Sequence, residues 1–165
     1  MYFKQADIFW GMKKEIVKEI MKNAVQESHP EGELLFREGD VADTFYVLLK
    51  GRIKLNIGET GRVVYVVSKA GEAFGWSSLI DRDVYTASAE CQAQTKLLKF
   101  DKEKLQKALV EDPANGLIFF RRLAETLGTR LMQSYHMISS AARADATLSF
   151  GTGQVQDMEA SELET

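Results

Sequence analysis

The chain has 165 residues, 45% of them hydrophobic, and a formal net charge of −3; that is one domain's worth of sequence, with enough apolar material for a real core. The slight acidity gives no overall attraction to nucleic acid, the single cysteine excludes an internal disulfide, and no apolar run approaches the roughly 20 residues that span a bilayer. No charged-then-apolar leader stands at the start, so a cytoplasmic location is expected.

Ile8, Phe9, Met12, Ile16, Val17, Ile20, Met21 and Ala24 recur at helical spacing with lysines and glutamates between them, which predicts an amphipathic N-terminal helix. From there to Phe100 the signals are short β runs at 34–36, 44–49, 52–57, 63–67, 86–91 and 96–100. Glycine-rich turns separate them, and that spacing predicts a β sandwich or jelly roll. Asp101 is placed to cap a helix over 102–110, and a longer helix follows Pro113. On that second helix Leu117, Phe120, Ala124, Leu127, Leu131, Ser134 and Ile138 step by threes and fours. The stripe reads either as a face packed on the helix's own barrel or as the seam of a two-stranded dimer. After Ser139 the residues turn small and polar, and from Gly151 the only charges are Asp157, Glu159, Glu162 and Glu164. Residues 1–140 are therefore expected to form the domain and 141–165 a flexible acidic tail.

The stretch 71–91 is the candidate site. Gly71 and Gly75 bracket Phe74 and suit a tight turn. Trp76-Ser77-Ser78-Leu79-Ile80 is long enough for one helical turn, whose N–H groups form an anion site. Tyr85-Thr86-Ala87-Ser88-Ala89 then alternates as a half-buried strand does.

With its glycine framework, this stretch resembles the cyclic-nucleotide-binding domain of catabolite-activator-type regulators, kinase regulatory subunits and gated channels. The similarity also takes in Gly32-Glu33-Leu34-Leu35-Phe36-Arg37-Glu38-Gly39-Asp40 and Gly51-Arg52-Ile53, and covers roughly residues 5 to 140. It implies an α+β fold: a jelly-roll (double-stranded β-helix) barrel with an N-terminal helix and a long C-terminal dimerisation helix. It also implies a homodimer through Leu117, Phe120, Ala124, Leu127, Leu131 and Ile138. The family's ribose-binding glutamate is Trp76 here, and its phosphate-binding arginine is Tyr85. The ligand set the resemblance leaves is Gly75, Trp76, Ser77, Ser78, Tyr85, Thr86 and Ala87, with Arg130 from the long helix and Arg82 from the loop as substitute cations. Trp76 and Tyr85 either pack together and close the pocket or form an aromatic wall for a flatter ligand. Phosphate held by the N–H array alone is the third option.

Enzymatic readings lack residues. His29 and His136 are the only histidines and lie on different elements, so no metal-binding pair is expected. No Ser-His-acid order or P-loop is present. The expected function is a non-enzymatic, small-ligand-sensing regulatory domain with a degenerate phosphate cassette. No cofactor is required, although a cyclic nucleotide or another small molecule fits the class. One alternative is a ligand-free interaction domain. The other is a haem sensor using His29, His136 or Cys91. The acidic C-terminal stretch cannot supply a basic recognition helix, so no DNA binding is expected.

Overall fold

The computed structural model describes residues 6–145. Turn residues cut the chain after the first helix into eight antiparallel strands: β1 (Ala24–His29), β2 (Leu34–Phe36), β3 (Thr44–Lys50), β4 (Ile53–Ile57), β5 (Arg62–Val67), β6 (Ala73–Phe74), β7 (Ser88–Cys91) and β8 (Thr95–Asp101). One sheet has the order β1-β8-β3-β6 and the other β2-β7-β4-β5. Helices α1 (Lys14–Lys22), α2 (Lys102–Glu111) and α3 (Pro113–Asp145) complete the jelly-roll α+β fold. The described residues fall into two compact units, divided between Leu123 and Ala124. No helix among the described residues is long and apolar enough to cross a membrane.

Strand β3 is buried on both faces from Thr44 to Leu48, and it separates two packed clusters. Tyr46 and Leu48 belong to the sandwich interior with Phe36, Ile53, Phe74, Tyr85 and Leu97. On the opposite face Phe45 meets Phe100 and Phe119, and Phe9 packs on the same two rings, with centroids 5.7 to 6.2 Å apart. Each fully buried phenylalanine contributes about 2–3 kcal/mol, so this second cluster fixes the N-terminal segment and the first turns of α3 onto the sheet.

The N-terminal helix is shorter than its periodicity predicts. A 3-10 turn spans Asp7–Phe9, the chain breaks at Gly11 (φ +90°), and α1 ends at Lys22. Ala24 instead opens β1, pairing with Phe100. That strand was invisible in the sequence because it is an edge strand of mostly polar residues, half-buried at best. Strand β6 was missed because it is only two residues long, paired with Tyr46 and Val47. Thr86 and Ala87 precede β7 rather than belonging to it.

Both helix caps are built as expected for their residues. Asp101 accepts a hydrogen bond from the Lys104 N–H at 3.0 Å. Asp112 accepts from the Asn115 backbone N–H at 3.2 Å and from its side-chain amide at 2.7 Å, bonds that hold the Asp112 carboxyl below the usual carboxylate range. Pro113 takes the first helical position, where its missing N–H costs nothing. The Asn115 side chain, 1% exposed, also accepts from the Lys13 N–H at 2.8 Å and ties α1 to α3. Gly116 is required by close approach: a Cβ there would lie 2.3 Å from the Leu109 carbonyl oxygen of α2. The helix α3 runs through Asp145, taking in the first five residues of the expected tail. The rest of that tail lies outside the described residues.

Candidate functional site

The site begins at Gly75, whose backbone has φ +74° and ψ +24°. A Cβ there would sit 2.9 Å from Tyr46 Cδ2 and 3.1 Å from the Thr44 carbonyl oxygen, so both conformation and space demand glycine. The single turn expected after it is a 3-10 turn, Trp76–Leu79. Ser77 and Ser78 are buried and Trp76 is half-buried. The Ser78 hydroxyl is already committed, donating to the Gly75 carbonyl at 2.8 Å. Past an exposed loop carrying Arg82, the chain returns inward at Tyr85, with Thr86 exposed and Ala87 half-buried.

Tyr85 is 3% exposed and fills the place where the resemblance puts an arginine. Its hydroxyl donates to the Thr44 carbonyl at 2.6 Å and accepts from the Thr44 N–H at 3.1 Å. Its ring stacks on Phe36 with centroids 3.8 Å apart and planes 18° apart. Phe36 stacks on Tyr46 at 5.6 Å, and Tyr46 on Phe74 at 5.0 Å. Four rings thus form a continuous stack between the cassette and β3. The two ends of the cassette, Gly75 and Tyr85, converge on Thr44 and Tyr46. Among the described residues no ring pairing joins Trp76 to Tyr85; the face of Tyr85 belongs to Phe36.

The main chain repeats this closure. Gly39 N–H donates to the Tyr85 carbonyl, Tyr85 N–H to the Asp40 carbonyl and Ala42 N–H to the Asp83 carbonyl, each at 2.9 Å. Val41 and Val84 form an isolated antiparallel bridge. Seven of the eight expected ligand residues, 75–78 and 85–87, therefore lie together in the first unit. Arg130 lies on α3 in the second unit.

Burial pushes the Tyr46 phenol up to about 12. Burial, and then the neighbouring Tyr46 phenol, push Tyr85 higher still. Both folded values exceed the ordinary 10.0, so the stability these neutral phenols confer is complete below pH 10.0 and is lost as pH rises through the folded values. In a near-ultraviolet absorbance titration, two of the five tyrosines should ionise only together with unfolding. Ionisation of all five in one reversible step near pH 10 would contradict the buried stack.

The other candidate donors lie apart from the cassette or are occupied or buried. His29 Nδ1 lies 2.9 Å from Glu33 Oε1, and Nε2 lies 3.1 Å from Glu27 Oε2, so carboxylates hold both ring nitrogens. Cys91 is fully buried in β7, and burial raises its thiol pKa. His136 is exposed on α3. No group of metal-ligating side chains is assembled among the described residues. The residues that close the site and that the sequence reading missed are Phe36, Thr44, Tyr46 and Phe74. The available signal was the placement of three aromatics in short strands flanking the cassette.

The architecture is that of a jelly-roll regulatory domain with a short helical cassette set between its strands. The chain belongs to the cyclic nucleotide-binding domain family, whose pattern matches residues 26–112, more than half of its length. A solved cyclic nucleotide-binding domain from Methylobacillus flagellatus is 25% identical, with a TM-score of 0.71, over 81% of this chain and 76% of that one. The N-terminal domain of a transcriptional regulator from Streptomyces coelicolor is 28% identical, with a TM-score of 0.62, over 76% of this chain and 91% of that one. A CRP-like cAMP-activated global transcriptional regulator from Mycobacterium tuberculosis is 24% identical over 125 residues, which is 74% of this chain and 56% of that protein. The chain spans between a tenth and just over half of the curated relatives' own length.

Proposed function

We propose that this chain is a non-enzymatic, homodimeric regulatory domain that works by protein interaction and has given up cyclic-nucleotide binding at its cassette. One observation carries the reading: the Tyr85 side chain, stacked on Phe36 and bonded to both backbone groups of Thr44, occupies the position from which an arginine would meet a cyclic phosphate. An anion brought there would meet a buried neutral phenol instead of a cation, and an unpaired buried charge is expensive. Of the two readings left open for the aromatic substitutions, this geometry supports closure over an aromatic wall, but with Tyr85 packed on Phe36 instead of on Trp76. Of the three ligands of the haem alternative, His29 is held by two carboxylates and Cys91 is buried, which leaves only the exposed His136.

The dimer rests on α3 carrying two stripes. Asn115, Gly116, Phe119 and Leu123 are its buried face. Leu117 (62% exposed) and Phe120 in the first unit, and Ala124, Leu131 and Ile138 in the second, are exposed, with Leu127 half-exposed. An apolar stripe left uncovered by the chain's own core suits a second copy. The slight net negative charge supports the reading that nucleic acid is not its partner. Native mass spectrometry of the purified chain tests both halves: the expected species is a dimer without small ligand. A monomer, or a dimer carrying the added mass of a nucleotide, would overturn the corresponding half.

A further inference from the structure

The closed cassette poses a further question: what holds the loop at 37–43 and the approach to β7 in one fixed arrangement? Beside the Ala42–Asp83 and Glu38–Ser88 bonds, Tyr85 is the residue common to both places. The main chain of Tyr85 bonds to Gly39 and Asp40, its ring covers Phe36 at the end of β2, and its hydroxyl bonds to both the N–H and the C=O of Thr44, the first residue of β3. The residues so joined are 41 or more positions away from Tyr85 in sequence. A side chain that only filled space would need neither hydroxyl bond. One that used its hydroxyl on a neighbouring side chain would leave the end of the β2–β3 loop at Thr44 without this tie, and the loop would keep its bonds to Asp83, Ser88 and the Tyr85 main chain.

We propose that the Tyr85 side chain is a tethered ligand: a phenol, delivered by the chain itself, that binds the Phe36–Thr44 site and holds the β2–β3 loop shut, so that the domain stays permanently in its closed form. This rests on the reading that the cassette is filled rather than open, and it adds that the filling group does mechanical work. The site it occupies has the chemistry of a phenol receptor, with one aromatic face, one backbone donor and one backbone acceptor. A detached phenol should therefore restore what is lost when the side chain is cut away.

The test is the full chain carrying Tyr85→Ala, with 4-methylphenol as probe and toluene as the control that lacks a hydroxyl. The melting temperature of the variant should fall by on the order of 10 °C. Amide exchange over 37–44 should accelerate at least about tenfold while the β8 amides stay protected. Saturating 4-methylphenol should recover most of both losses, toluene clearly less, and the wild type should respond to neither. Unchanged exchange over 37–44 in the variant, or equal stabilisation of variant and wild type, would overturn the proposal. If Tyr85→Ala does not fold, Tyr85→Phe keeps the ring and removes only the hydroxyl. The Thr44 amide should then exchange about tenfold faster, and an unaltered Thr44 rate would be equally decisive against it. These outcomes are separate from cyclic-nucleotide affinity, which tests the filled-cassette reading itself.

Discussion

Replacing Leu127 and Leu131 together by glutamate should convert a dimer into a monomer and leave the barrel folded. Both leucines lie on α3 beyond Leu123, in the second compact unit, and neither belongs to the buried face that anchors the helix. Leu131 is half exposed in the single chain, so its apolar surface is available only to a partner. In the seam each chain would place two carboxylates against leucine, phenylalanine and isoleucine, where an unpaired buried charge costs several kcal/mol. With about 1.4 kcal/mol per tenfold, the dissociation constant should rise by at least about a thousandfold. Sedimentation should show the change as a halved mass, with circular dichroism and the melting profile of the barrel little altered. A wild type already monomeric at high micromolar concentration would show that the stripe is not a seam.

The second large effect is expected from Trp76→Glu with Tyr85→Arg. The missing acid and base each remove a charged hydrogen bond worth about 1.5–3 kcal/mol. Their loss together weakens cyclic-nucleotide binding by roughly two to four powers of ten, and restoring them should recover much of that. The geometry adds a condition. Arginine at 85 replaces a ring stacked on Phe36 and two hydrogen bonds to Thr44, so the variant should melt below the wild type when empty. Cyclic AMP should then raise its melting temperature, because a ligand that binds only the folded state stabilises it by mass action. The wild type should show no such shift. A folded variant that gains no affinity would place further divergence in Phe36 and Tyr46, whose rings border the same space.

The fold was legible because its signals are local. Glycines at fixed intervals, short apolar runs such as the one through Tyr46 and Leu48, and the Asp101 cap each report on their own few residues. What failed was also local in cause. Strand β1 has too little apolar alternation to announce itself, and Ala24 continued a helical period by coincidence. Gly11, with φ +90°, broke that period near its start, so the helix begins only at Lys14. For the site, the substitutions at Trp76 and Tyr85 were readable as losses. What replaced the ligand was not, because it depends on Phe36, Thr44 and Tyr46, which are brought to Tyr85 only by the pairing of β2 with β7 and the closure of the β2–β3 loop. The two stripes of α3 show the same limit: the sequence offered a seam or a core face without dividing the residues between them, whereas Phe119 and Leu123 are buried and Leu117 is exposed.

The central claim, that Tyr85 fills the cassette and excludes cyclic nucleotides, is tested most directly by calorimetric titration of the wild-type chain with cyclic AMP and cyclic GMP. The expected result is no saturable heat up to millimolar ligand. Saturable binding of either nucleotide at micromolar concentration would contradict it, since the phosphate would then be held with Tyr85 in the arginine's place.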